Sequence, residues 1–522
     1  MKKILFWALS LLIGNVCYAE DITISYNGSK AKVAQTVKDS VIVTVDGAKV
    51  NIESQYTDHK LTLRLKGKSD DGQLILKTAG KAKIKLDGLN LTSQEGAPLY
   101  LKNKKKVEIV AVKDTKNTLT ITACKDTANN KAAVIWSKDK LLFSGKGILN
   151  IIATGDGCRG IKTKKDITIE ELTRNVKTSG NNLGEKPFSF GGFPGMPEGG
   201  FPFGNDSTMQ GGFPGFPGGG FPFGNDSTMR AGFPGFPGGG LPFGNDSTMR
   251  AGFPGFTGGG GFPMGGFPFG NDSTMSAGFP DFGGGFAGKH KYVASTKGIA
   301  SKGKITFNSG NIDVQTSTPG AEGIEGKKGI IFNGGKISVL SPDDAINANA
   351  CIEFNGATVI AHSTGNDAVD SNPKGGFFMP FGGNNEQNND PAIIIRSGNV
   401  YAWSEVGSPE EGLDCDFAPL VVEGGTIFSV GGGMGEMPSV PTNESAKQPT
   451  VLLIGLNVVK DEPIYISDSQ GKLLDTVTIP FSMPRSASLV GSPAFKTGST
   501  YTVKTKGYEK TFTLKESFTA VR

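Results

Sequence analysis

Glu322-Gly323-Ile324-Glu325, Asp344-Ala345-Ile346-Asn347 and Asp367-Ala368-Val369-Asp370 share one pattern: a polar residue, a small one, an aliphatic one, and a second polar one. Further copies stand at Arg159-Gly160-Ile161-Lys162, Lys297-Gly298-Ile299-Ala300 and Glu411-Gly412-Leu413-Asp414. From Gly298 through Gly323 and Ala345 to Ala368 the steps are 25, 22 and 23 residues. That is the repeat length of a solenoid, in which each unit buries its apolar side only by stacking on its neighbours. After each corner comes a second short strand closed by a turn, as in Ile330-Ile331-Phe332-Asn333-Gly334 and Ile352-Glu353-Phe354-Asn355-Gly356, and then a third strand. Three strands per repeat predict an all-β fold, a right-handed parallel β-helix, with Ile161, Ile299, Ile324, Ile346, Val369 and Leu413 stacked inside at roughly 4.8 Å per coil.

The flanks set the other boundaries. Lys2 and Lys3, the apolar run from Ile4 to Val16 and Cys17-Tyr18-Ala19 read as a secretory leader over 1–19, so the chain is expected to be exported, whether secreted, periplasmic or at the cell surface. Residues 20–90 alternate apolar and polar and are expected to start and cap the coil. The helix domain is expected over 91–448, interrupted by a Gly/Pro/Phe-rich insert at 181–288, with a small β module over 449–522. No other apolar run reaches the ~20 residues of a membrane helix. A net charge of +5, or +3 without Lys2 and Lys3, is too weak to suggest nucleic acid. Cys124, Cys158, Cys351 and Cys415 fit no paired metal-binding spacing; three disulfide pairings and four buried thiols all remain open.

Inside the insert, Phe-Pro-Phe-Gly-Asn-Asp-Ser-Thr-Met begins at Phe201, Phe221 and Phe267, with a variant at Leu241. Its Asp-Ser-Thr resembles the acceptor of a bacterial general O-glycosylation system, which makes Ser207, Ser227, Ser247 and Ser273 candidate modification sites.

Stacking turns single corner residues into rows. Carboxylates recur in the late repeats, and like charges one coil apart repel unless something neutralises them. Calcium accepts six to eight oxygen ligands with tolerant geometry, at about 2.3–2.6 Å. The expected ligand pool is Glu322, Glu325, Asp343, Asp344, Asn347, Asp367, Asp370, Glu411, Asp414 and Asp416. A second row, four residues past the small corner residue, reads Lys104, Lys138, Lys164, Lys302 and Lys327. Such a line of ammonium groups suits a polymer with carboxylates at regular intervals, although a lysine row also solubilises a sheet edge. Trp136 and Trp403 are candidate sugar-stacking aromatics.

The Gly-Ile corners followed by lysine, the Asp-Asp-Ala-Ile-Asn and Asn-Asp-Ala-Val-Asp variants and the Phe-Asn-Gly turns together resemble one family. It is the exported carbohydrate-binding β-helix family of the clostridial cellulose- and polygalacturonate-binding type. The resemblance spans roughly 85–180 and 290–455 and implies a calcium-containing β-helix that binds a polysaccharide without cleaving it. Two other readings stand beside it: a calcium-dependent lyase, which needs a lysine or arginine base such as Lys302 or Lys327, and a structural adhesin. A hydrolase is less well served, because Asp343-Asp344-Ala345-Ile346 lacks the downstream Gly-His-Gly of pectin hydrolases.

Overall fold

In a computed structural model the described residues are 20–37, 39–125, 131–186, 291–373, 390–415, 418–432 and 438–522. The leader, nearly all of the insert with its four candidate serines, and Asp416 lie outside them.

All described secondary structure is strand and turn. Each coil contributes three short strands, as in Lys297–Ser301, Ile305–Phe307 and Asn311–Thr316, followed by Glu322–Gly326, Ile330–Phe332 and Lys336–Ser341. Each strand pairs in parallel with its counterpart one coil on: Ile161 with Ile299, Ile299 with Ile324, Ile324 with Ile346, Ile346 with Val369, and Val369 with Leu413. All six side chains are buried. On the next wall Phe307, Phe332 and Phe354 stack with centroids 4.9 and 5.1 Å apart, the spacing that parallel strands impose on one column.

The small corner residue has a steric cause. A β-carbon at Gly323 would sit 2.3 Å from Val339 Cγ1 and 2.5 Å from the Ala345 carbonyl oxygen, and Gly298 is confined in the same way by Val314.

Parallel stacking starts before residue 91. Lys49–Ser54 pairs with Gln73–Thr78, and Leu61–Ser69 with Ala82–Ser93, while the hairpins Ile22–Asn27/Lys30–Gln35 and Val41–Asp46/Lys49–Ser54 close that end. Around the insert, Leu183–Lys186 pairs antiparallel with Lys291–Ala294, so the chain leaves and rejoins the coil at one place. Past the last coil, Thr450–Val458 pairs with Met483–Gly491, and a four-stranded antiparallel sheet forms from Pro463–Asp468, Leu473–Thr478, Thr500–Thr505 and Tyr508–Thr513. Cys158, Cys351 and Cys415 are free thiols, with Cys158 and Cys415 buried.

Candidate functional site

One wall of the coil, the eleven-stranded sheet from Val41–Asp46 to Leu413–Asp414, carries every predicted lysine and carboxylate position that the structure describes, on the strands or the turns that flank them. Because alternate side chains point away from the aliphatic core, parallel register draws the outward ones into straight columns. One of them is a column of exposed lysines and the other is largely buried, with Trp136, Lys162, Ala300, Asn347 and Asp370 all buried.

The lysine column is longer than expected, and one member is corrected. Lys77 pairs with Lys102, and the Leu101–Ser137, Ser137–Thr163 and Thr163–Ser301 registers carry the column on through Lys138, Lys164 and Lys302. Lys327 follows, its amide bonded to Ser301. Lys104 lies two residues past this column; Lys102 occupies it. Counting from a small corner residue failed there because the corner position is Pro98 in that coil and Val134 in the next. All six lysines are exposed. Lys77 meets Glu53 and Lys327 meets Glu325, but among the described residues no carboxylate lies within ion-pair distance of Lys102, Lys138, Lys164 or Lys302.

The neighbouring outward column reads Ile75, Tyr100, Trp136, Lys162, Ala300, Glu325, Asn347, Asp370 and Asp414. Tyr100 and Trp136 lie with ring centroids 4.9 Å apart on a floor that includes Ala97 and Ala133. The ammonium of Lys102 is 5.0 Å from the Tyr100 ring centre, and that of Lys164 is 5.9 Å from the Trp136 ring centre. Trp136 is 4% exposed, and its buried Nε1 has no hydrogen-bond partner among the described residues. Lys77, Tyr100, Lys102, Lys104, Trp136 and Lys138 line a depression of about 370 Å³. Tyr100 was the residue missed from sequence; the parallel phrases Leu74-Ile75-Leu76-Lys77 and Leu99-Tyr100-Leu101-Lys102 held the signal. Trp403, by contrast, packs in the core shared with Phe428, Phe481 and the C-terminal strands.

Two coils further on, charges are settled internally. Lys297 Nζ lies 2.8 Å from Glu322 and 2.7 Å from Glu325, and Lys327 reaches the same Glu325 oxygen at 2.5 Å. A buried lysine thus brings positive charge to two carboxylates of the expected ligand pool. Burial acts to raise the Glu325 carboxyl, but Lys297 and Lys327 hold it down at about 2. Glu322 moves the other way: burial raises it, and the one shared lysine does not offset this. Lys162 is pushed down to about 6 by burial and then by Arg159, with Glu325 opposing. Arg159, Lys162, Lys297, Ala300, Lys302 and Glu325 border a second depression of about 420 Å³.

The acidic end is organised by amides. Asn347 donates from Nδ2 to Asp344 at 2.5 Å and to Asp370 at 2.8 Å, and Asn366 donates to Asp343 and Asp344 at 2.8 and 2.7 Å. Asp367 accepts from the Glu411 amide at 2.6 Å, and Glu411 from the Ser439 amide at 2.7 Å. Burial, followed by the charges of Asp414, Asp344 and Asp370, holds the Asp367 carboxyl well above the usual carboxylate range. This oxygen-only donor set suits calcium in kind. In position it does not form a finished centre: among the described residues no three His, Cys, Asp or Glu side chains are grouped so as to hold a metal ion.

Residues 46–186 and 266–368 match the family model described as carbohydrate-binding domain-containing protein. A curated relative with that description, from Acetivibrio thermocellus, is 30% identical over 139 residues, which is 26% of this chain and 48% of the relative. The chain thus spans about half the length of the relative it matches. A solved structure of the polysaccharide lyase-like protein from C. thermocellum, a gadolinium derivative, is similar at 18% identity with a TM-score of 0.36, covering 65% of this chain and 90% of that one. The whole lysine column and the aromatic pair fall inside the segments matched by the family.

Proposed function

We propose that this member of the carbohydrate-binding domain-containing family binds an extracellular polysaccharide, without cleaving it, along the outward face of the eleven-stranded sheet. The observation that carries this reading is the column of Lys77, Lys102, Lys138, Lys164, Lys302 and Lys327 running beside Tyr100 and Trp136. Aromatic faces stack on the apolar faces of sugar rings, and ammonium groups at intervals of about one coil meet carboxylates or hydroxyls along an extended chain. The ligand is an acidic glycan of the polygalacturonate type or cellulose. The scaffold is read as a right-handed parallel β-helix and the chain as exported.

Calcium is the second element of the proposal. Asp344, Asp367, Asp370 and Asp414 would hold it at the acidic end, with Asn347 turning its amide oxygen inward in place of the nitrogen that now bridges two carboxylates. Its chemistry there would be neutralisation of stacked carboxylates.

One observation favours a lyase as the second reading. Lys162, with its amine held at about 6 and Arg159 beside it, has the form of a base that could remove the proton α to a uronate carboxyl. Retention of the mature protein on insoluble polygalacturonate and on cellulose, with calcium or with chelator, tests both readings when ultraviolet absorbance is followed. Retention without new absorbance is expected; absorbance from unsaturated product would establish the lyase, and retention on neither would favour an adhesin.

A further inference from the structure

We propose that the notch, the depression lined by Ala300, Lys162 and Arg159, is a carboxylate subsite, which receives the acid group of one uronic acid residue while a sugar further along the same chain sits in the depression that Tyr100 and Trp136 line. The inference rests on the reading of this face as a polysaccharide-binding surface and narrows it to acidic glycans.

The notch arises from one small residue in a column of large ones. Trp136, Lys162, Ala300 and Glu325 follow one another at successive coils, and Ala300, 3% exposed, lies low among the longer side chains that line the depression of about 420 Å³. Its border is cationic. Arg159 and Lys162 stand on one strand, Lys297 on the next, and Lys302 and Lys327 just beyond the strand ends. The acid at the border, Glu325, is already bound by Lys297 and Lys327, so the field across the opening stays positive. Arg159 donates through one guanidinium nitrogen to Ser295 at 3.0 Å, which orients a planar group suited to an incoming carboxylate.

The second anchor is the aromatic pair that lines the neighbouring depression, with Tyr100 partly exposed and Trp136 4% exposed. Trp136 Nε1 is a buried donor with no partner among the described residues, and leaving such a donor unpaired is unfavourable. Trp136 lies two coils from Ala300, about 10 Å, or roughly two sugar residues, so the smallest ligand that engages both anchors is an acidic trisaccharide.

Binding is linked to a proton. The groups facing Lys162 are Arg159 on its own strand, Lys297 and Lys302 one coil above, Glu325 two coils above, and the uncharged Trp136 below. At neutral pH the Lys162 amine is mostly uncharged, because burial and then Arg159 push it to about 6. A carboxylate arriving in the notch favours the ammonium form, so the complex takes up a proton. Affinity is then greatest below that value and falls as pH rises through it, by at most about tenfold per pH unit.

The test is calorimetric titration of the full chain with trigalacturonate and with neutral cellotriose from pH 5 to 8, in buffers of different ionisation enthalpy. Trigalacturonate is expected to bind with proton uptake. Ala300→Leu, which fills the notch, is expected to weaken trigalacturonate about tenfold or more and any cellotriose binding by less. Lys162→Met is expected to abolish the pH dependence. Unchanged trigalacturonate affinity in Ala300→Leu, or pH-independent binding by the parent protein, overturns the subsite. Binding of cellotriose without trigalacturonate overturns the subsite and spares the polysaccharide reading, whereas failure of both sugars to bind removes that reading too.

Discussion

The Lys297 ammonium on one coil lies 2.7 Å from a carboxylate oxygen of Glu325 on the next, with both side chains largely removed from water. A second oxygen, from Glu322, lies 2.8 Å from the same ammonium, so one lysine holds two carboxylates inside a surface otherwise built of repeating strands.

Removing that lysine leaves buried Glu322 without its cation and Glu325 with Lys327 alone. Lys297→Met is expected to destabilise the protein by about 3–5 kcal/mol, read as a lower urea midpoint. Glu325 adds a pH signature. Its folded value of about 2 lies below that of an unfolded glutamate, so its contribution is present above the unfolded value and is lost as pH falls toward 2. Glu325→Gln should flatten this acid limb.

Asp367 carries the opposite sign. Its folded value is raised by burial and then by Asp414, Asp344 and Asp370, so the folded protein binds the extra proton and loses stability as pH rises through the window between the unfolded and folded values. In chelator, Asp367→Asn is expected to raise the melting temperature at neutral pH. Calcium should raise the melting temperature of the parent and not of Asp344→Ala or Asp367→Ala; identical melting with calcium and with chelator would remove the metal from the reading.

Arg174 points into the coil, fully buried, between Leu149 and Ile312 in the column, with its guanidinium carbon 3.8 Å from the centre of the Phe143 ring. None of its three guanidinium nitrogens has a hydrogen-bond partner among the described residues, and burial pushes its pKa down to about 9. Stacking on one ring offsets little of such a desolvation cost. Arg174→Leu, which continues the aliphatic column, is expected to stabilise the protein by about 1–3 kcal/mol in urea unfolding.

Gly323→Val tests the packing rule at the corner. The new side chain would start 2.3 Å from Val339 Cγ1 and 2.5 Å from a backbone carbonyl, and the backbone of the next coil cannot move without breaking its own ladder. A loss of about 2–4 kcal/mol in unfolding free energy is expected, while the same change at exposed Gly28, where nothing lies within 4 Å, should act through backbone conformation alone.

By itself the sequence determined the repeat: the Gly-aliphatic corners of the coils at Gly160, Gly298 and Gly323 and the Ala corners at Ala345 and Ala368 are dictated locally, since a β-carbon collides there or an inward position must be apolar. Once that register is known, every outward residue from Lys162 to Asp414 falls into its column by counting, because parallel strands allow one partner per position. Counting failed at Lys104, where the corners are Pro98 and Val134 and coil length changes between Leu99 and Ile135. Only the tertiary structure decided that Tyr100 lies beside Trp136, that Lys297 neutralises Glu322 and Glu325, and that Ala300 opens a notch beside Lys162. Those outcomes depend on side-chain reach and burial across coils, where desolvation sets which charges pair, and no single repeat contains that information.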